Sequence, residues 1–197
     1  MTTNAGTAVA VRPLGIRVLA ALAGAIAVAA AAQVALPIPG SPVPFTLQPL
    51  AVLVVGGLLG PRFGALSLAL YLALGAAGLP VFTPFGAPGL ARLAGPTGGF
   101  LLAYPVAAAI VGWGVSREVG TSEREASRTD VPTYRLTALA CLTGMAVIFA
   151  GGVAQLSVLS GRGLALGLLP FIWTDLVKVL LAAVVIRRLA ATTRALR

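Results

Sequence analysis

LTALACLTGMAVIFAGGVAQLSVL, residues 136–159, runs without a single charge. At a rise of about 1.5 Å per residue such a stretch crosses the roughly 30 Å hydrocarbon core of a bilayer. Scanning outward for similar runs finds five more, at about 17–36, 48–60, 63–79, 98–115 and 165–186. The second is short, and Gly60-Pro61-Arg62-Phe63-Gly64 supplies a break between it and the third, because Gly and Pro both end helices. The composition agrees: 58% of residues are hydrophobic and only 10% are charged, where a soluble domain carries roughly 25% charged residues. The expected fold is an all-α integral membrane protein, one domain over 1–197, with six transmembrane helices in a single bundle. The first span also follows Arg12 and Arg17 as a signal-peptide core would, but it is long for one and five spans follow it.

Basic residues orient the bundle. Arg12, Arg17, Arg62, Arg117, Arg124, Arg128, Arg135, Arg187, Arg188, Arg194 and Arg197 fall on one side of the six spans, and only Arg92 and Arg162 on the other. By the positive-inside rule both termini are cytoplasmic, and the net charge of +9 is accounted for without nucleic acid. Residues 116–134 read as a solvated cytoplasmic connector, with Glu118, Glu123, Glu125 and Asp130 beside its arginines. The outer loops differ. ALPIPGSPVPF (35–45) and PVFTPFGAPGLARLAGP (80–96) are stiff and apolar. Such loops either fold back to roof a cavity or form interfacial turns.

The chemistry is narrowed by what is missing. The chain has no His, which excludes imidazole acid–base work and His-ligated metal, and one Cys, Cys141, which excludes an internal disulfide. No GxxxxGK[ST] occurs, so ATP would have to be hydrolysed by another subunit. No catalytic residue or metal site is expected. Asp175 and Lys178, the only acid and the only lysine within the spans, stand three apart and share a helix face. Each charge at mid-bilayer costs about 2.5–3.5 kcal/mol, so the pair is either a structural clamp or the lining of a polar pocket. Gly95-Pro96-Thr97-Gly98-Gly99 opens the fourth span, either as an ordinary helix entry or as amides that attract an anion. Thr46 and Gln48 bring further hydrogen-bonding groups to the outer end. Ala23, Ala27 and Ala31 form one small-residue stripe on the first span, and Ala21, Ala25 and Ala29 another.

Five stretches together resemble the BioY family, the biotin-binding S subunits of energy-coupling-factor vitamin transporters. They are PVPFTLQ (42–48), GGLLGPR (56–62), YLALGAAGLPVF (71–82), GPTGGFL (95–101) and PFIWTDLVK (170–178). The resemblance implies a six-helix bundle in a bacterial cell membrane that takes up biotin from outside, with its ligand site toward the outer face. It implies coupling to a transmembrane scaffold protein and ABC-type ATPases, and biotin as cargo rather than cofactor. It carries the vitamin site onto Asp175 and Lys178, its closure onto Thr46 and Gln48, and scaffold docking onto Ala23, Ala27 and Ala31. Phe100 stands where many members have Tyr. For biotin, the ureido ring suits Asp175 and Lys178, while Phe82, Phe85, Phe100 and Trp173 are expected apolar walls. The carboxylate is expected at the Gly95–Gly99 amides, or at Arg92, or, with the ends swapped, on Lys178. The rival readings are an S subunit for another small vitamin, an intramembrane enzyme using Asp175, and a scaffold subunit in which the pair only clamps helices.

Overall fold

The computed structural model describes residues 14–125 and 134–193. Arg12, Arg128, Arg194 and Arg197, used above to orient the chain, lie outside these residues, as does Asp130. The elements in order are α1 (Leu14–Gln33), β1 (Ala35–Leu36), β2 (Phe45–Thr46), α2 (Gln48–Ala76), α3 (Leu90–Ala94), α4 (Gly98–Glu125), α5 (Tyr134–Ser160), α6 (Gly163–Gly167) and α7 (Ile172–Thr193). Four stretches among the described residues are long and apolar enough to cross a membrane: Leu14–Gln33, Gln48–Ala76, Gly98–Glu118 and Arg135–Ser160.

Two of the six expected spans share α2, which is not straight. At Gly60 the backbone turns to φ 78°, ψ 179°, a conformation open to glycine, and Pro61 follows without an N–H to continue the ladder. The two limbs then lie side by side. Gln48 Nε2 donates to the Tyr71 hydroxyl at 2.7 Å across 23 residues, which a straight helix would hold about 35 Å apart. A Cβ on Gly64 would meet the Gly56 Cα at 2.9 Å, so the limbs touch backbone to backbone. The sixth expected span is α7, whose Asp175, Lys178, Arg187 and Arg188 set it apart from the four apolar stretches.

Helix α2 sits at the centre, against α1, α4 and α7, and α5 closes the bundle against α4 and α7. The apolar core runs from Ala25 and Val28 of α1 through Leu68 and Tyr71 to Tyr104, Ala108 and Ile148. Of the two alanine stripes on α1, Ala21 and Ala25 are buried, and Ser67 Oγ donates to the Ala21 carbonyl at 2.7 Å. Ala23 and Ala27 are exposed and Ala31 is half-buried, because they lie on the opposite side of the same helix.

The solvated connector expected from Ser116 begins later than that. Helix α4 runs on to Glu125, and Glu118 is 1% exposed. Its carboxylate accepts from the Thr137 hydroxyl of α5 and pairs with Arg187 of α7 at 3.3 Å. Partners on two other helices thus draw an acid that looked loop-bound into the bundle. Glu118→Ala is expected to lower stability by about 2 kcal/mol, with the Arg187 charge left facing a cavity. Thermal unfolding in detergent checks this, and adding Arg187→Leu should recover part of the loss.

Candidate functional site

The apolar loop after α1 is a small roof. Ala35 pairs with Thr46 and Leu36 with Phe45 in an antiparallel two-stranded ladder, with the tip turning through Gly40 at φ 81°. Ser41 Oγ donates to the Leu166 carbonyl at 2.9 Å, tying the tip to α6 across the bundle. Of the two readings open for this loop, the roof is the one found: Val43, Pro44 and Thr46 line a cavity beneath it. The segment 77–89 forms a second cover, through Phe82 and Thr83.

That cavity encloses about 570 Å³ of non-atom space, part of it open to the outside. Its walls come from every long helix except α1. Gln48 and Pro49 begin α2; Thr97 precedes α4 and Phe100, Leu101 and Tyr104 enter along it; Ile148 and Phe149 come from α5; and Phe171 precedes α7. Asp175 and Lys178 complete it from α7, both buried.

Lys178 Nζ donates to Asp175 Oδ1 at 2.5 Å, and the same ammonium stands 4.0 Å from the centre of the Phe45 ring. Two features favour these charges here. Asp175 is in the first turn of α7, where the helix dipole favours an anion, and the Phe45 π-face attracts the cation. The pair therefore lines a pocket while neutralising itself. Phe82 packs edge-on against Tyr71 with ring centres 5.4 Å apart, seated where a Cβ on Gly75 would overlap its ring.

Of the residues expected at the site, Asp175, Lys178, Thr46, Gln48, Phe82, Thr97 and Phe100 are brought together. Pro96 is not among them; it lines a second hollow with Phe85, Gly86 and Arg92, which meets the first at Thr97. Gly98 and Gly99 do not line the cavity and are closely packed. A Cβ on either would overlap backbone, at the Leu93 carbonyl and the Gly151 carbonyl respectively, and the Gly98 N–H donates to Gly95 at 3.0 Å. Trp173 is 78% exposed and lies outside the cavity, since two residues along a helix rotate it about 200° from Asp175. Arg92 is 6% exposed and donates to the Thr83 carbonyl at 2.7 Å and to the Phe85 carbonyl, so it braces the second cover from within. Burial draws its guanidinium below the ordinary arginine pKa.

Several contributors were missed. Phe45, Tyr104, Phe149 and Phe171 carried no signal beyond ordinary core aromatics. Gln155 did carry one, as the only amide in the uncharged run 136–159. Its Nε2 donates to the carbonyls of Leu93 at 2.9 Å and Gly95 at 2.8 Å, fixing the turn that places Thr97.

Comparison with known proteins meets the same architecture. The BioY family model matches residues 4–195. The chain belongs to the BioY family. A probable biotin transporter BioY of Pyrococcus horikoshii is 37% identical over 154 residues, covering 77% of this chain and 83% of that protein. The biotin transporter BioY of Thermotoga maritima is 36% identical over 155 residues, with the same coverage. Among solved structures, a 2.1 Å crystal structure of the S-component for biotin from an ECF-type ABC transporter superposes with a TM-score of 0.73. It shares 27% identity, over 91% of this chain and 95% of that one. Within the BioY family, then, the roofed cavity of this member is built around an Asp–Lys pair on its last helix.

Proposed function

We propose that this chain is the substrate-binding subunit of a biotin uptake transporter and has no catalytic activity of its own. The observation that carries the reading is the buried Asp175–Lys178 pair opening into a roofed, largely apolar cavity. Biotin's ureido ring offers two N–H donors and a carbonyl, which match a carboxylate and an ammonium. Phe82, Phe100 and Phe171 supply apolar walls for its thioether ring and chain. Thr46 and Gln48 lie under the roof to close over it. The carboxylate then points toward Thr97 and the hollow that holds Arg92.

The chain crosses a bacterial plasma membrane six times, with the two limbs of α2 as separate spans and α7 as the last. Both termini are cytoplasmic and the roofed end is outside. The outward stripe of Ala23, Ala27 and Ala31 is the face on which a transmembrane scaffold docks, and ABC-type ATPases bound to that scaffold supply the energy. Equilibrium binding of labelled biotin to the purified protein in detergent tests the ligand. Saturable binding displaced by desthiobiotin and indifferent to thiamine and riboflavin is expected. Displacement by thiamine or riboflavin instead would assign a different vitamin.

A further inference from the structure

Both covers of the cavity are fastened to the outer end of one helix, α1. The roof continues directly from it: the Leu47 N–H donates to the Val34 carbonyl at 3.3 Å, and the β1–β2 ladder follows at once. The second cover is reached by a side chain. Gln33, the last residue of α1, donates from Nε2 to the Phe82 carbonyl at 3.1 Å and lies 3.4 Å from the Pro80 carbonyl. Inside the bundle this cover is held by Arg92 on Thr83 and Phe85, and by the Phe82 ring in its notch at Gly75. At its start, around residues 80–82, Gln33 reaches it from outside.

An exposed amide bridging 49 residues to a backbone carbonyl is not needed to solvate itself, since water or headgroups could do so. Its effect is to couple α1 to a segment that lines the ligand cavity. We propose that Gln33 is a positioning residue that latches the second cover to α1, so that the attitude of α1 sets how fast ligand leaves. Displacing α1 strains the ladder of the first cover and the latch of the second at the same time. The two covers then open together, and Phe82, whose carbonyl is latched and whose ring walls the cavity, is the point where the motion meets the ligand.

The part of this inference that concerns ligand release rests on the biotin reading; the latch itself does not. Two variants separate the hydrogen bond from side-chain bulk: Gln33→Met keeps the length and removes the donor, whereas Gln33→Arg restores N–H donors. Hydrogen–deuterium exchange over residues 79–86 of ligand-free protein should rise in Gln33→Met and return toward wild type in Gln33→Arg. Labelled-biotin dissociation should accelerate by about tenfold in the first variant and much less in the second. Unchanged exchange in Gln33→Met, or equal acceleration of dissociation in both variants, overturns the latch. A wild-type protein that binds no biotin overturns the functional reading, while exchange still decides the latch.

Discussion

Asp175→Asn lowers biotin affinity by at least about 100-fold, or roughly 2.7 kcal/mol, and Lys178→Met does the same. On the proposed reading each substitution removes a ligand contact, and it strands the other charge in a site where both side chains are buried. Breaking a buried pair from one side costs about 3–5 kcal/mol, so both single variants should also melt earlier. The double variant Asp175→Asn/Lys178→Met isolates the functional part. With no orphaned charge it should recover wild-type unfolding behaviour while still failing to bind. Titration calorimetry beside thermal unfolding reads both quantities. A double variant that binds biotin normally would return the pair to the role of helix clamp.

Gly112→Val should cost about 3 kcal/mol or more and leave little monodisperse protein. A Cβ there would stand 2.4 Å from the Gly60 carbonyl carbon, 2.6 Å from Pro61 N and 2.7 Å from the Gly56 oxygen. All three are backbone atoms and cannot rotate aside. Gly56 has the same problem from the other direction, with Ala108 O 2.5 Å from its virtual Cβ. The turn of α2 thus packs backbone to backbone against α4, with Gly56 and Gly112 leaving no room for a Cβ. Gly15→Ala is the control: it sits in a helix with nothing within 4 Å, and should be neutral or slightly stabilising. Size-exclusion profiles and melting temperatures compare the two, and a Gly112→Val protein as stable as Gly15→Ala would contradict this packing.

The Asp175–Lys178 pair was legible because the membrane makes intramembrane charge scarce: one acid and the only lysine, three apart, need a common explanation wherever the helix turns. The break at Gly60 was legible because Gly-Pro acts locally. Trp173, expected as an apolar wall, lies outside the cavity because helical phase turns it away from Asp175. Glu118 was misread for a different reason. Its own neighbourhood is charged and hydrophilic, and its burial is decided by Thr137 and Arg187, which reach it only after the helices pack. The glycines of 95–99 fit an anion site in composition, but Gly95 and Gly98 give their N–H groups to the Arg92 and Gly95 carbonyls, and Gly98 and Gly99 pack without room for a Cβ against Leu93 and Gly151. Contacts across long sequence separations, such as Gln33 on Phe82 and Gln155 on Gly95, leave no local periodicity to read.

The fold-back of α2 also bears on how the chain enters a bilayer. Its first limb, from Gln48 to Gly60, rises only about 20 Å, short of the roughly 30 Å hydrocarbon core. A segment of that length is a poor solitary passenger for the insertion machinery. On the six-span reading the first limb is expected to be stable in lipid only beside the second, which makes Gly60 a landmark in biogenesis as well as in the finished bundle.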